Sequence, residues 1–138
     1  MLQVRPMDLQ VPIFNQLGED LAPVIQINVF TVDAADVADV AALLKAREDD
    51  ANWMKSQAGY ICTQLHRGIA GSCVFLNYAV WESVAHFRAA FTHPEFQNAL
   101  AAYPLSAVAR RTCSAGWRYR SSARHDRLRS AIQNSPTH

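Results

Sequence analysis

The sequence lacks the features that mark membrane-spanning, disulfide-stabilised and strongly charged proteins. No apolar run approaches the ~20 residues that a membrane-spanning helix needs, and residues 1–20 hold no continuous hydrophobic segment of the kind found in secretory leaders. The three cysteines include no CxxC pair, which argues against both disulfides and a zinc site. The formal net charge is only +1, so overall charge gives no reason to expect nucleic acid or membrane as a partner. We therefore expect a cytoplasmic protein without a bound metal.

What is present is an alternation of strand and helix patterns over residues 23–117, long enough for one domain with its own core. Residues 1–22 are interpreted as an N-terminal extension, because Pro6 and Pro12 discourage a long regular element. Residues 118–138 carry five arginines among polar residues and are interpreted as a basic, flexible C-terminal tail. Nucleic-acid binding is the alternative function for this tail, although no aromatic interleaving or motif supports it.

Four segments have the composition of β-strands. Residues 23–32 alternate and are rich in β-branched side chains. Residues 60–68 and 72–81 flank a GIAG turn, which predicts a hairpin. Residues 108–117 supply a fourth strand, whose pattern is the weakest of the four.

The first predicted helix lies between the first strand and the hairpin. Asp33 and Asp36 form a helix-start signal, and apolar residues three and four apart then continue to about Gln57. The acidic residues 48–50 are expected on the solvated side of this helix.

The second helical region follows the hairpin. Residues 82–91 have helical periodicity, and Thr92 with Glu95 forms a capping-box pattern that starts a further short helix, from His93 to about Tyr103. The element order βαββαβ predicts an α+β, ferredoxin-like fold, in which both helical layers cover one face of a four-stranded antiparallel sheet. The other face would be bare and apolar, so we expect a homodimer that buries it.

One strand carries an amide and an indole on the same side. In a strand of period two, Asn77 and Trp81 point the same way as Phe75 and Ala79. If that side faces the helices, the Asn77 amide needs a partner, because leaving it unpaired costs roughly 1–3 kcal/mol. The partner could be backbone, water or a bound molecule that offers an oxygen. Trp81 adds a flat apolar wall with one N–H donor, so the pair suits a planar, oxygen-bearing aromatic compound.

His66 on the preceding strand is the candidate general base. Its imidazole is the nearby side chain whose ordinary pKa, about 6.5, suits proton abstraction near neutral pH. The alternative interpretation is a hydrogen-bonded structural histidine, which is the more common role on a strand.

The segments NYAVWES (77–83), GYICTQLHRG (59–68) and FRAAFTHPEF (87–96) resemble the antibiotic biosynthesis monooxygenase superfamily. The resemblance covers roughly residues 23–117 and is strongest to the cofactor-independent anthrone monooxygenases. It implies a dimeric α/β barrel, in which two ferredoxin-like sheets pack face to face and each subunit has a pocket between its sheet and its helices. It also implies catalytic roles for Asn77 and Trp81, and a pocket position for His66.

The sequence departs from the anthrone monooxygenases at two positions. A tyrosine of that group falls here on Phe87, and a pocket arginine has no convincing counterpart, with Gln97 the nearest residue. These departures question anthrone itself as the substrate. Haem-degrading members would place a histidine near Leu100 and a tryptophan near Ala90, and neither residue is present, so we expect no haem and no other cofactor.

The resemblance and the residues together predict a monooxygenase that oxidises a small phenolic, quinol or anthrone-like aromatic with dioxygen, without metal or flavin. The predicted catalytic residues are Asn77, Trp81 and His66. The residues predicted to bind the substrate are Asn28, Phe75, Phe87, Phe91 and Gln97. Two other functions stay open, namely a non-catalytic small-molecule-binding dimer and a cyclase or isomerase that uses the same pocket.

Overall fold

A computed structural model describes residues 2–33 and 35–116 of the chain. The predictions made for the C-terminal tail lie outside these residues. The described part is an α+β fold in which helices cover one face of a five-stranded mixed sheet of order β1-β5-β2-β4-β3. The strands are β1 (Gln3–Pro6), β2 (Val24–Thr31), β3 (Tyr60–Arg67), β4 (Val74–Trp81) and β5 (Val108–Ser114).

The prediction of a four-stranded, wholly antiparallel sheet is wrong at one edge. The predicted strands pair antiparallel, but β1 adds a fifth strand that runs parallel to β5. The period-two pattern is too short in β1 to signal a strand. Pro6, which discouraged a regular element here, is tolerated because β1 is an edge strand and Pro6 is its last residue.

The two longest described helices begin at side-chain caps. Helix α2 (Val37–Met54) follows Asp36, whose carboxylate accepts hydrogen bonds from the backbone N–H groups of Ala38 and Asp39. Helix α3 (Val84–Phe91) follows Ser83, whose hydroxyl accepts from the N–H of His86.

Helix α4 (Pro94–Ala99) is shorter than predicted and is capped differently. His93 is its N-cap residue, because His93 Nδ1 accepts from the N–H of Glu95 at 3.1 Å. Thr92 instead caps the end of α3, with its hydroxyl donating to the carbonyl of Arg88 at 2.7 Å. The chain then continues as a 3-10 turn over Leu100–Ala102.

The N-terminal segment is part of the core. Leu2, Ile13 and Leu17 are buried, and the last two pack in the same cluster as Trp81. The short helix α1 (Ile13–Gln16) is held to the sheet through Gln16, whose Oε1 accepts from the N–H of Cys113 at 2.8 Å and whose Nε2 donates to the Cys113 carbonyl at 3.3 Å. The Gln16 amide thus hydrogen-bonds to β5 as a neighbouring strand would, beyond the point where β1 ends.

The sheet face turned away from the helices is apolar and partly exposed. Strands β2 and β4 alternate between buried and less buried residues, which separates the two faces. Besides Thr31, the residues that alternation places on this open face of β2 and β4 are Ile25, Ile27, Val29, Val74, Leu76, Tyr78 and Val80.

Replacing Gln16 by alanine should lower the free energy of unfolding by about 1–2 kcal/mol, because the N–H and the carbonyl of Cys113 lose their amide partner. Urea denaturation followed by circular dichroism measures the change. The matched control is Asn15→Ala, since Asn15 is exposed on the same helix. Equal costs for the two variants would show that the Gln16 contact to β5 does not stabilise the fold.

Candidate active site

A cavity lies between the helix-facing side of the sheet and the helices α2, α3 and α4. Its volume is about 20 Å³, which is room for about one water molecule. The lining residues are Gln26, Asn28, Arg47, Ala51, Met54, Tyr60, Thr63, Asn77, Ala79, Trp81, Phe87, Phe91, Phe96 and Arg111. The lining includes no histidine and no carboxylate from the described part of the chain.

A row of polar side chains crosses the sheet under this cavity. Asn28 pairs in register with Asn77 on one side and with Arg111 on the other, so the three residues are direct neighbours on adjacent strands. Side chains paired in this way have Cβ atoms about 4.5–5.5 Å apart. All three are buried: Asn28 is 6% exposed, Asn77 2% and Arg111 3%. We refer to Asn28, Asn77 and Arg111 as the polar row.

Asn77 has its hydrogen-bonding partners within the protein. In the amide orientation that suits its neighbours, Asn77 Nδ2 donates to the carbonyl of Gln64 at 3.1 Å, and its Oδ1 accepts from Arg47 Nη2 at 3.2 Å. The hydroxyl of Thr63 lies 3.1 Å from the same amide. Backbone, a hydroxyl and a guanidinium therefore satisfy the amide, and one of its functions is to orient Arg47.

Asn28 has an acceptor without a partner. Its Nδ2 donates to Gln26 Oε1 at 3.2 Å, whereas its buried Oδ1 accepts no hydrogen bond from the described residues. A buried acceptor left in this state costs free energy that a bound donor would recover. The Asn28 Oδ1 atom is thus a candidate acceptor for a hydroxyl group of a ligand.

Arg47 is buried on α2 beside a carboxylate and a phenol. Arg47 Nη1 lies 3.5 Å from Asp50 Oδ2 and donates to the Tyr103 hydroxyl at 3.2 Å, and this hydroxyl donates to Asp50 Oδ2 at 2.6 Å. Burial raises the pKa of the Asp50 carboxyl, while the Tyr103 hydrogen bond and the Arg47 charge oppose that rise. Burial also raises the pKa of Tyr103, so its phenol is neutral near pH 7.

Arg111 is a buried cation whose guanidinium forms no hydrogen bond or ion pair with the described part of the chain. Its guanidinium lies 5.3 Å from the ring centre of Phe91 and 5.9 Å from that of Phe96. Burial lowers the pKa of Arg111 to about 10, which leaves it protonated near neutral pH. Its Nε atom is buried and unpartnered. Two guanidinium groups therefore line the cavity, and within residues 2–33 and 35–116 Asp50 is the one carboxylate that pairs with either of them.

The remaining lining includes an aromatic wall formed by Tyr60, Trp81, Phe87, Phe91 and Phe96. Trp81 makes edge contacts with Tyr60, at a ring-centre distance of 5.7 Å, and with Phe87, at 5.9 Å. Phe87 in turn stacks on Phe91 at 5.3 Å, and Phe91 is 5.8 Å from Phe96. Flat apolar walls with polar groups on the floor suit a planar ligand that carries oxygen atoms.

A second, more open cavity adjoins the first. Its volume is about 170 Å³, and it shares the residues Arg47, Ala51, Thr63 and Asn77 with the inner cavity. Its remaining lining comes from the outer side of α2 and from β3, as Leu44, Glu48 and Leu65. Arg47 and Asn77 thus stand between an outer space and the inner cavity, and a displaced Arg47 side chain would join the two.

The structure brings five of the eight predicted site residues to the cavity. The predicted residues that line it are Asn28, Asn77, Trp81, Phe87 and Phe91. Phe75 is buried in the neighbouring core cluster, where Arg67 covers its ring. Gln97 does not substitute for the pocket arginine of the resemblance, because its Nε2 donates to the carbonyl of Phe91.

His66 lies on the opposite face of the sheet. Its ring is exposed and stacks on Tyr78 at 5.8 Å, and its strand partner is Leu76. A bulge causes this placement. Tyr60 pairs with Trp81, but the next pair is Cys62 with Val80, so β3 contains one extra residue at this point. Each later side chain of β3 therefore points to the face of the sheet opposite to the one that unbroken alternation predicts. The interpretation of His66 as a base within this cavity therefore does not fit the single-chain geometry.

The sequence analysis missed Arg47, Arg111, Gln26 and Tyr60. The predicted solvated side of α2 is wrong at Asp50, which is 3% exposed because it pairs with Arg47. Arg47 follows the buried Leu43 by four residues, a spacing that could have placed it on the inner side of α2. Arg111 alternates with the buried Ala109 in β5, which is the corresponding signal for a strand.

Two further findings concern residues 2–33 and 35–116 only. No group of three or more His, Cys, Asp or Glu side chains in these ranges is arranged to hold a metal ion. No helix in them has the length and apolar character that a membrane crossing requires.

Replacing Asp50 by asparagine should lower the free energy of unfolding by about 3 kcal/mol, because Arg47 would remain buried without its counter-charge. Urea denaturation measures this loss. The matched control is Asp49→Asn, which removes an exposed ion pair with Lys45 and should cost less than about 1 kcal/mol. If the two variants are equally stable, Asp50 does not compensate the charge of Arg47.

Comparisons with known proteins identify the fold. SnoaB, a cofactor-independent oxygenase from Streptomyces nogalater, has a similar structure with a TM-score of 0.63 and 20% identity, over 74% of this chain and 100% of that chain. A protein from Shewanella loihica, provisionally assigned as a monooxygenase, has a TM-score of 0.59 and 28% identity over the same shares. No curated protein matches the chain in sequence. The family model described as antibiotic biosynthesis monooxygenase matches residues 23–102. The chain belongs to the antibiotic biosynthesis monooxygenase family.

Proposed function

We propose that the chain is a monooxygenase that oxidises a small phenolic, quinol or anthrone-like aromatic with dioxygen and without a metal or flavin. The observation that carries the proposal is the buried polar row of Asn28, Asn77 and Arg111, which lines the same cavity as the aromatic wall around Trp81. Family membership supports an oxygenase. SnoaB, which shares the fold, is described as cofactor-independent.

The reaction starts from a ring whose conjugation acidifies a C–H or O–H bond. Loss of that proton gives an electron-rich anion that passes one electron to dioxygen, and the two radicals then combine into a peroxide. When a ring methylene is oxidised to a carbonyl, it loses both hydrogens and gains one oxygen atom. The second oxygen atom leaves as water. Dioxygen therefore takes up all the electrons that the substrate releases, and no external reductant is required.

The cavity residues would stabilise the anion. Arg47 and Arg111 place positive charge beside it, and this charge lowers the pKa of a bound phenol or acidic C–H group. Asn77 holds Arg47 through Oδ1, so the Arg47 guanidinium that it positions would stabilise developing charge on the substrate oxygen, an effect of about 3–4 kcal/mol when donors are well aligned. With His66 on the other face, the proton would leave through water in the outer cavity. Trp81 and Phe87 would enclose the ring and exclude water from the reacting atoms.

The inner cavity has to enlarge before it can hold such a ring. Its volume of about 20 Å³ is far below the ~300 Å³ of common ligand pockets. Met54 is flexible and lines the cavity, and Arg47 separates it from the outer space, so these two side chains are the ones that would move. The second candidate function, a small-molecule-binding protein without catalysis, requires the same enlargement, and the absence of an imidazole or carboxylate from the described lining favours it. A cyclase or isomerase would have to lose its proton without such a base as well.

The homodimer is part of this proposal. Exposed apolar residues such as Leu76, which is 40% exposed, and Val74, at 44%, lie on the open face of the sheet. Contact between the open faces of two chains would bury this surface and close a barrel. His66 would then lie at or near the interface, which is where its stacking on Tyr78 would be covered.

Replacing Asn77 by alanine should reduce turnover at least tenfold, because Arg47 loses its acceptor and the developing oxyanion loses its support. Dioxygen uptake with a panel of anthrones and hydroquinones measures turnover, and melting shifts measure ligand binding independently. Asn98→Ala on the exposed surface of α4 is the control. Unchanged turnover in Asn77→Ala removes Asn77 from the mechanism. Binding without dioxygen uptake in the unmodified protein favours the non-catalytic function.

Replacing Leu76 by glutamate should convert the dimer into a monomer, because a charge in the centre of the open face cannot be buried against its copy. Light scattering after size-exclusion chromatography measures the mass. Leu105→Glu is the matched control, since Leu105 is 80% exposed and lies outside the strands of the sheet. A monomeric unmodified protein, or a Leu76→Glu variant that stays dimeric, contradicts this assembly.

A further inference from the structure

Arg111 is a buried charge that lacks a direct partner among the described residues, because the Asp50 carboxylate acts on it only from beyond ion-pair distance. It is 3% exposed, it lines the cavity, and in the described part of the chain no carboxylate forms an ion pair with it. Phe91 and Phe96 supply only the faces of their rings. An isolated buried cation is costly in a protein interior, and a bound anion is the partner that would offset this cost.

The charged side chains at the cavity favour an anion that carries a single negative charge. Arg47 and Arg111 carry two positive charges, and Asp50, paired with Arg47, supplies one negative charge when it is ionised. One positive charge is then left over. A ring carboxylate matches this charge, and its two oxygens suit the planar fork of a guanidinium. A phosphate would bring close to two charges and would leave the site with a negative excess.

Asn28 requires a hydrogen-bond donor on the ligand, in addition to the negative charge that Arg111 requires. Its unpartnered Oδ1 accepts a hydrogen bond, and Asn28 pairs directly with Arg111 across β2 and β5. A ligand that satisfies both residues therefore carries a donor, such as a phenolic hydroxyl, next to its negative group. The aromatic rings of Trp81 and Phe87 favour a planar ring system for the rest of the ligand.

We propose that the cavity binds an aromatic acid with a hydroxyl group beside its carboxylate, and that Arg111 recognises the carboxylate while Asn28 accepts from the hydroxyl. The inference rests on the proposed function in so far as it uses the same cavity, and it narrows the substrate to a hydroxyaryl carboxylate. Arg111 lies outside residues 23–102, so the match to the family model does not carry this assignment.

The test is a binding titration with 1-hydroxy-2-naphthoate under argon, followed by the fluorescence of the ligand. Its neutral amide, 1-hydroxy-2-naphthamide, is the matched ligand without charge. The unmodified protein should bind the acid at least tenfold more tightly than the amide. Equal binding of acid and amide, or no binding of the acid at millimolar concentration, overturns the proposal without any variant.

Variants of two neighbouring arginines show whether the preference for the acid depends on this site. Arg111→Gln should weaken binding of the acid at least tenfold and change binding of the amide less than twofold. Arg110→Gln is the matched control, because Arg110 is exposed on the other face of β5 and should leave both affinities unchanged. Arg111→Lys keeps the positive charge and should retain part of the preference for the acid over the amide. If Arg110→Gln weakens acid binding as much as Arg111→Gln does, surface charge and not this site selects the acid.

The adjacent hydroxyl is tested with 2-naphthoate, which keeps the carboxylate and lacks the hydroxyl. The unmodified protein should bind it several-fold more weakly than 1-hydroxy-2-naphthoate, and Asn28→Leu should remove that difference. A difference that persists in Asn28→Leu excludes Asn28 as the acceptor.

Dioxygen uptake with 1,4-dihydroxy-2-naphthoate and with its amide separates this inference from the proposed function. Selective binding of the acid without uptake of dioxygen above the uncatalysed rate would reject oxygenation and leave the ligand assignment standing. Equally fast catalysed uptake with both compounds would support oxygenation and reject the assignment.

Discussion

Two guanidinium groups are buried under the helices of a small domain, and the arrangement of the site follows from how each is accommodated. Taking an ion out of water costs several kcal/mol unless a counter-charge and hydrogen bonds replace the lost hydration. Arg47 has both, because Asp50 and Tyr103 hold one side of it and Asn77 holds the other. Arg111 has no such direct partner among the described residues: ring faces lie against its guanidinium, and the Asp50 charge acts on it only from beyond ion-pair distance. This asymmetry holds Arg47 in place and leaves Arg111 as the guanidinium that a bound anion would pair with.

The contacts of Arg47 also explain how the inner cavity is kept separate from the outer one. Asp50 lies three residues after Arg47 on α2, and Tyr103 follows the 3-10 turn at the end of α4, so the network joins the two helical segments. Asn77 ties the same guanidinium to the centre of the sheet. Moving Arg47 aside connects the inner and outer cavities, and it also breaks a hydrogen bond to Asn77. Entry of a ligand is therefore coupled to Asn77.

Sequence periodicity predicted the four main strands and the helices between them. It also predicted which side of β4 faces the cavity, because the alternation in VFLNYAVW is unbroken from Phe75 to Trp81. It could not predict the position of His66, since the inserted residue at Ile61 changes the face of β3 without any mark in composition. It also missed the buried arginines. Charged residues are usually expected to be exposed to solvent. The burial of Arg47 is explained only by its ion pair with Asp50 in the folded chain, and that of Arg111 by the ring of Phe91.

A cavity with cations and no base constrains the chemistry as much as the lining residues do. Because the described lining contains no imidazole or carboxylate, proton loss has to be made favourable by stabilising the anion that results. Positive charge beside the ring achieves this for an acidic phenol, but only if the ring is placed so that its oxygen meets the charge. A carboxylate on Arg111 would orient the ring in this way, and it would leave Arg47 and Asn77 to act on the oxygen whose proton is lost. Recognition and activation are then separate tasks of two arginines that the sheet and α2 bring to the same cavity.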